Sequence, residues 1–231
     1  MICLKKYRSL IKNKLLGFGM PGKVIVRLFL KVKYFKDKRN FLKYANQHSC
    51  RIFYKKDKIE ISKGNCIIIL SLNQRVYLGD IVASFDQYFF SVAPAEINGE
   101  KVVDFSVIRE HTLSDSGIIF FFSSIAEGEW PLRAYLKEYS PKEGDVVFDC
   151  GAYCGVSTYF FSKMVGESGK VYAFEPDDLN YEVLLKNIER HHLTNVIPVK
   201  KGLYSKRGEI SFNNEGGTRW GSHKVCTEGA E

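Results

Sequence analysis

The sequence has no uninterrupted apolar run long enough to cross a membrane. A spanning helix needs about 20 apolar residues, and the apolar stretch Val24–Phe35 is interrupted by Arg27, Lys31 and Lys33. This stretch is therefore neither a transmembrane helix nor a signal peptide. Two interpretations stay open: a Lys-rich amphipathic helix in peripheral contact with an anionic membrane surface, or a helical arm packed on the protein with its lysines in water.

Acidic residues are scarce in the first 60 residues. This part holds 17 Lys or Arg against three acidic residues, Asp37, Asp57 and Glu60, which gives it a net charge of +14. Because the whole chain carries +8, the other 171 residues carry −6. The basic charge thus comes from one helical arm, whose bounds we predict as residues 1–48. The mildly acidic remainder does not favour a nucleic-acid-binding enzyme, so no nucleic acid is expected as a partner.

Cysteine pairs with metal-ligand spacing are absent. The six cysteines are scattered along the chain: Cys3, Cys50, Cys66, Cys150, Cys154 and Cys226. Cys150 and Cys154 lie four residues apart, but Cys150 is expected to be buried at a strand end, so packing explains the pair better than zinc or a disulfide. The sequence therefore predicts no metal site and favours a reducing compartment, the cytoplasm.

Residues 49–140 mix short β-like runs with helical segments and predict a small α+β region. Asn98-Gly99 is a hairpin turn signal between two of the runs. The aromatic residues over Gly79–Phe90 have helical spacing and are assigned to the core, and Pro131–Tyr139 is a second predicted helix. The region could contact a substrate or serve as a scaffold. Its predicted strands are Arg51–Tyr54, Ile59–Ser62, Cys66–Leu70, Ala95–Ile97, Val102–Phe105 and Gly117–Phe122.

The most informative stretch is the apolar run Val146–Asp149 with the turn that follows it, Cys150–Gly155. A buried strand that stops at glycines just before a helix places backbone N–H groups where a cofactor can approach. Helical spacing over Val156–Val165, ended by Gly166, and a second strand, Lys170–Phe174, come next. Glu175 then lies 20 residues beyond Gly155, the distance at which doubly wound folds place a carboxylate on a ribose.

The turn lacks the central glycine of a dinucleotide fingerprint. That fingerprint needs G-x-G-x-x-G, whereas Ala152 and Tyr153 follow Gly151, and Tyr153 would obstruct a pyrophosphate. S-adenosylmethionine carries no phosphate, so this loop can bind it through carboxylate and backbone groups, with Asp149 orienting the loop or meeting the ammonium group. The alternative is a structural turn, with Asp149 capping the helix and Glu175 solvated at a strand end.

Residues 143–212 resemble the FkbM-type S-adenosylmethionine-dependent methyltransferases. The resemblance lies in Gly144–Ala152 with Gly155, in Gly169–Asp177, in Leu184–Asn187 with Leu193–Val196 and, more loosely, in Gly202–Ser205 and Gly208–Phe212. The family usually has a small residue or Asn where Tyr153 and Cys154 stand. The resemblance implies S-adenosylmethionine as the cofactor and a set of contacting residues: Asp149, Gly151, Ala152, Tyr153, Gly155, Glu175, Pro176 and Leu203.

The resemblance also implies a Rossmann-like class I methyltransferase fold with seven strands in the order 3-2-1-4-5-7-6. Three strands are found here, Val146–Asp149, Val171–Phe174 and Val196–Lys200, with a helix from Asp177 to about His191, and Ser222–Thr227 is too polar for a central strand. We therefore expect an α/β fold in which residues 141–231 are the N-terminal half of a C-terminally truncated domain. The first strand then has an open apolar edge, and a partner chain could supply the missing half.

The reaction implied is methyl transfer to an oxygen of a saccharide or another small hydroxylated acceptor. A hydroxyl acceptor needs a general base within hydrogen-bond reach, and the nearest candidates in sequence are Glu127 and Glu129. The alternative for these two is a solvated carboxylate at a helix start. The alternative for the whole chain is a non-catalytic cofactor-binding module or an inactive fragment of such an enzyme.

Overall fold

The structure is a computed structural model that describes residues 40–203 and the backbone of residues 211–213 and 224–226. The chain divides into two compact units, Met1–Ser49 and Cys50–Glu231. In the first unit residues 40–47 are helical, and the predicted amphipathic stretch Val24–Phe35 lies outside the described residues. Within the described part, none of the helices is both long and apolar enough to cross a membrane.

The second unit begins with a five-stranded mixed sheet. Its strands are β1 (Arg51–Tyr54), β2 (Lys58–Lys63), β3 (Cys66–Ser71), β4 (Ala95–Ile97) and β5 (Glu100–Asp104). They lie in the order β1-β2-β3-β5-β4, in which only β3 and β5 pair in parallel. The strands alternate apolar side chains into a core that includes Ile59, Ile61, Ile68, Leu70 and Val103. The predicted strands of this sheet and the hairpin at Asn98-Gly99 are confirmed.

The predicted helix over Gly79–Phe90 is two short helices. A 3₁₀ helix, Leu72–Tyr77, leads into α1 (Leu78–Ala83), and α2 (Phe85–Phe89) follows. Ser84 separates the two because its backbone, at φ −123° and ψ 39°, has left the helical region. The aromatic residues are nevertheless in the core as predicted, with Phe85, Tyr88 and Phe89 buried.

A hairpin and a short helix connect this sheet to the rest of the unit. Strands β6 (Arg109–Thr112) and β7 (Ile119–Phe122) pair antiparallel, and α3 spans Trp130–Tyr135. The helix predicted over Pro131–Tyr139 therefore ends earlier than expected, at Tyr135. Residues 136–138 form a turn, the hydroxyl of Tyr139 donates to Asp145, and Pro141 disfavours a helical conformation in the residue before it.

The last described part is a three-stranded parallel sheet with two crossover helices. Its elements are β8 (Val146–Cys150), α4 (Val156–Val165), β9 (Lys170–Phe174), α5 (Asp178–Arg190) and β10 (Val196–Val199). The sheet order is β10-β9-β8 and both pairs are parallel. This is the predicted Rossmann-like α/β arrangement, with strands in the order 3-2-1. Both helices pack on one face of the sheet, where Val165, Val171, Ala173, Leu184 and Leu193 form a buried cluster.

The other face of this sheet carries exposed side chains in the part of the chain that the structure describes. Val146 is 57% and Phe148 60% exposed, and Cys150 on the same face is exposed too. The predictions of a buried first strand and of a buried Cys150 are therefore wrong, because no described element covers the face that these residues share. The described strands also leave the outer edge of β8 unpaired, since β11 (Ser211–Asn213) and β12 (Lys224–Cys226) pair with each other.

Candidate cofactor site

The loop between β8 and α4 is shaped by two glycines and by hydrogen bonds to the neighbouring strand. The N–H groups of Gly151 and Ala152 both donate to the carbonyl of Phe174, over 3.0 and 2.9 Å. Gly151 and Gly155 have φ of +92° and +90°, which side-chain-bearing residues rarely adopt. At Gly155 a Cβ atom would also lie 2.7 Å from Leu184 Cδ1, whereas at Gly151 it would meet open space. The loop therefore passes close over α5 and is open above Gly151.

Glu175 holds the loop from the end of β9. Its side chain is only 5% exposed, and its carboxylate accepts the N–H groups of Tyr153 and Asp177, each over 2.9 Å. Burial raises the pKa of Glu175, and the two backbone donors oppose that rise. The interpretation of Glu175 as a solvated strand-end residue is therefore wrong. The Tyr153 N–H is bound to this carboxylate and is therefore not free to donate to a phosphate.

Asp149 lies behind the loop and is buried. Its carboxylate accepts hydroxyl hydrogen bonds from Ser157, over 2.8 Å, and from Thr158, both in the first turn of α4. Burial raises the pKa of Asp149 and the two hydroxyls oppose the rise. No backbone N–H of α4 donates to a cap side chain, so Asp149 orients the helix start through hydroxyl groups and does not cap it.

Tyr153 points away from the loop toward the segment that follows β7. Its hydroxyl donates to the carbonyl of Ile125 over 3.1 Å, and its ring lies 6.5 Å from that of Phe122. Its backbone φ is +51°, unusual for a residue with a side chain. Burial raises the pKa of Tyr153 well above its ordinary value. The tyrosine that departs from the family pattern thus joins the cofactor loop to the preceding α+β region.

A buried polar network also joins the cofactor loop to the preceding α+β region. The sequence analysis did not predict it. The Asn187 side chain accepts from Phe121 N–H over 2.9 Å and donates to the carbonyls of Phe121 and Cys154, over 2.9 and 2.7 Å. The Ser123 hydroxyl donates to Asn180 over 2.6 Å and also contacts the Cys154 thiol. Asn180 and Asn187 are seven residues apart on the buried face of α5. Two amides at that helical spacing beside buried Val183 and Leu184 were the available signal.

A cavity of about 70 Å³ opens between this loop and the residues around α3. That volume holds a few water molecules or one end of a larger ligand. Its described lining comprises Phe122, Glu127, Gly128, Pro131, Leu132, Tyr135, Gly151, Ala152, Tyr153, Val156 and Ser157. Burial raises the pKa of Glu127. The cavity thus brings one of the two base candidates to the predicted cofactor loop.

The remaining predicted site residues lie elsewhere. Glu129 accepts the N–H of Ser116 over 3.1 Å and is not part of the cavity lining. Asp149 accepts hydrogen bonds from the start of α4, Glu175 accepts one from the loop, and Gly155 ends the loop; none of the three lines the cavity. Pro176 is half-buried next to Glu175, and Leu203 is 58% exposed beyond β10; neither lines the cavity.

Comparison with known proteins gives partial matches to methyltransferases, and no family model matches the chain. The chain is 36% identical over 99 residues to the hexuronic acid methyltransferase AglP of Haloferax volcanii. This match covers 43% of the chain and 38% of AglP. The chain is 37% identical over 60 residues to the tRNA (adenine(58)-N(1))-methyltransferase catalytic subunit TRM61 of Yarrowia lipolytica, covering 26% of this chain and 15% of that one. The chain thus spans well under half the length of these curated relatives.

Solved structures show the same partial similarity. A SAM-dependent methyltransferase from Aquifex aeolicus is 36% identical with a TM-score of 0.28, over 30% of this chain and 37% of that chain. M. jannaschii TYW2 in complex with AdoMet is 22% identical with a TM-score of 0.35, over 64% of this chain and 55% of that chain. Both curated relatives that the chain matches in part are methyltransferases.

Proposed function

We propose that this chain is an S-adenosylmethionine-dependent methyltransferase of the FkbM type. The observation that carries the proposal is the loop Gly151–Gly155, tied by the buried carboxylate of Glu175 and opening into a cavity that contains Glu127. Neither feature is needed for a simple strand-to-helix turn. The curated relatives, both methyltransferases, support it and do not favour a non-catalytic module.

The residues present fit the cofactor. S-adenosylmethionine combines an adenosine, an amino acid end and a sulfonium, and it carries a net positive charge. The loop offers open space at Gly151, and Glu127 offers a carboxylate in the cavity for a hydroxyl or cationic group. Glu175 and Pro176 would hold the ribose side, with Leu203 beyond them. When bound, the cofactor supplies an already activated methyl group.

The acceptor we propose is a hydroxyl oxygen of a saccharide or similar small molecule. The relative named for hexuronic acid supports a sugar acceptor. The chain's own contribution is then to position the hydroxyl and remove its proton. Glu127 is the proposed base, because it lines the cavity and burial raises its pKa, which strengthens it as a proton acceptor. Glu129 is less suited because its carboxylate is bound to Ser116.

Calorimetric titration with S-adenosylmethionine tests the proposal. We expect binding by the wild-type chain, a loss of at least tenfold in affinity for Glu175→Ala, and no binding of a nicotinamide dinucleotide. Glu182→Ala, the same change at an exposed position of α5, is the matched control and should bind normally. A folded wild-type chain that binds neither cofactor would reject the proposal in favour of a non-catalytic module.

Location and partners are proposals that rest on the sequence. The scattered cysteines favour the cytoplasm. The basic arm, predicted as residues 1–48, is proposed to contact an anionic membrane surface. A partner chain could complete the open side of the parallel sheet, where β8 has no described neighbour but β9.

A further inference from the structure

We propose that Gln74, Ser91 and Tyr153 are positioning residues for Glu127, because they hold the chain around it and so keep its carboxylate at the cavity. This inference rests on the proposed function, in which Glu127 is the base. Gln74 and Ser91 are not among the residues described as lining the cavity, so they act through Glu127 and not on a ligand. The α+β region thereby supports the base of the reaction.

Glu127 lies in a buried segment without helix or strand, residues 124–128, which we call the base segment. Ser124 is 4% exposed, and Ile125 and Ala126 are fully buried. Buried backbone groups outside regular secondary structure need hydrogen-bond partners from elsewhere in the protein. The elements that supply these partners therefore decide where Glu127 lies.

The first two residues of the base segment are held from two different elements. The Gln74 side chain, in the 3₁₀ helix, donates to the Ser124 hydroxyl over 2.7 Å, and Gln74 is itself buried. The Tyr153 hydroxyl, in the cofactor loop, donates to the carbonyl of Ile125 over 3.1 Å. The base segment is thus held by the α+β region and by the cofactor loop at adjacent residues.

Ser91 contacts the base segment on both sides of Glu127. It lies in the turn that follows α2, and its hydroxyl is 3.0 Å from the carbonyl of Ala126 and 2.7 Å from that of Tyr88, so the two carbonyls share its hydrogen. On the other side, Gly128 has φ of +69°, and a Cβ atom there would lie 3.1 Å from Cα, Cβ and O of Ser91. Glu127 is therefore flanked by two residues that Ser91 fixes.

The carboxylate of Glu127 depends on this backbone support. Burial is the one cause that raises its pKa, so within the described residues its position follows from the chain that carries it. The titratable groups that face it are phenols: Tyr88, Tyr135 and Tyr153, whose pKa values are raised chiefly by burial and further by the charge of Glu127. Asp149 also acts on Tyr135. The three phenols stay neutral over the range in which a carboxyl group titrates.

NMR titration of the Glu127 carboxyl group tests the inference without cofactor or acceptor. In a chain labelled at the glutamate carboxyl carbons, the Glu127 signal is assigned by its loss in Glu127→Gln, and its dependence on pH gives the pKa. Ser91→Ala and Tyr153→Phe each remove one hydroxyl that holds the base segment. We expect each to lower the Glu127 pKa by at least about 0.5, roughly a threefold loss of proton affinity, because a released segment lets water reach the carboxylate.

Ser162→Ala is the matched control. Ser162 is a buried serine of α4 whose hydroxyl donates to the side chain of Asn195 over 2.6 Å. The control therefore loses a buried serine hydrogen bond of the same kind, away from the base segment. It should leave the Glu127 pKa unchanged, which separates positioning of Glu127 from a general loss of stability.

Three outcomes would overturn the inference. They are an ordinary Glu127 pKa in the wild-type chain, an unchanged Glu127 pKa in folded Ser91→Ala and Tyr153→Phe variants, and an equal fall in Ser162→Ala. The proposed function fails on a different measurement, the absence of S-adenosylmethionine binding by the folded wild-type chain. Because the carboxyl titration needs no cofactor, the two failures are distinguishable.

Discussion

Gly151 and Gly155 share a left-handed backbone but meet different surroundings. Both have φ near +90°, yet a Cβ atom would meet nothing within 4 Å at Gly151 and would lie 2.7 Å from Leu184 Cδ1 at Gly155. Alanine at Gly151 should therefore cost about 1 kcal/mol of unfolding free energy, from backbone strain alone. Alanine at Gly155 should cost about 1 to 3 kcal/mol more, because it also overpacks the contact with α5. Urea denaturation of the two variants measures the difference, and equal losses would contradict the proposed contact.

His111 makes folding sensitive to acid. It lies between the rings of Phe105 and Phe122, and its pKa is lowered to about 4, first by burial and then by Arg109. Because the unfolded chain binds the proton more readily, the contribution of neutral His111 to stability is complete above about pH 6.5. It is lost as the pH falls toward 4, by on the order of 2 to 3 kcal/mol at about 1.4 kcal/mol per pKa unit.

His111→Phe isolates this contribution. The raised pKa values of Glu127, Asp149 and Glu175 act in the opposite direction, because the folded state then binds protons more tightly than the unfolded one. The quantity to compare is therefore the difference in unfolding free energy between wild type and His111→Phe at pH 7 and pH 5. We expect wild type to lose stability relative to the variant on acidification. A difference that does not change with pH would contradict the assignment.

At the scale of elements, one asparagine joins β7, the cofactor loop and α5. Asn187 is buried and satisfies three backbone groups, the N–H and carbonyl of Phe121 and the carbonyl of Cys154. Asn187→Ala should lower the unfolding free energy by about 2 to 4 kcal/mol, because each buried group left unpaired costs about 1 to 3 kcal/mol. Lys186→Ala, at the exposed neighbouring position of the same helix, should change it by less than about 0.5 kcal/mol. Equal losses in chemical denaturation would contradict this role.

Local patterns were enough to predict most of the elements. Val156–Val165 and the strands on either side of it were predicted because apolar periodicity and Gly166 mark their limits within a short stretch of sequence. The break at Ser84 and the early end of α3 were missed, since neither residue 84 nor residues 136–138 contain a glycine or proline to signal them. The residues of the cofactor loop could be identified from their spacing in the sequence. The residues that pack against the loop could not, because contacts such as that between Ser123 and Asn180 join positions 57 residues apart in the chain.

At the scale of the whole molecule, the distribution of charge could be predicted from the sequence, whereas the burial of the parallel sheet could not. The concentration of basic residues before residue 60 is a count and needs no structure. Burial of the parallel sheet depends on which elements cover it. The apolar run at Val146–Phe148 predicted a buried strand, whereas the described helices α4 and α5 cover only the opposite face. An apolar sequence shows that a strand can be buried, and the remaining layers of the fold decide whether it is.

The open face of the parallel sheet leads to a prediction about self-association. The ring of Phe148 stacks on those of Tyr172 and Phe174 at 5.2 and 6.0 Å, so three aromatic side chains form one surface beside the edge of β8 that no described strand pairs with. Exposed apolar surface beside an open strand edge favours pairing with another chain. We expect concentration-dependent association of the full chain in sedimentation velocity, weakened at least tenfold by Phe148→Lys, because a buried lysine would need a partner. Phe53→Lys, at a 51% exposed phenylalanine on β1, makes the same change in the other sheet. Association that responds equally to both variants, or to neither, would assign it to another surface.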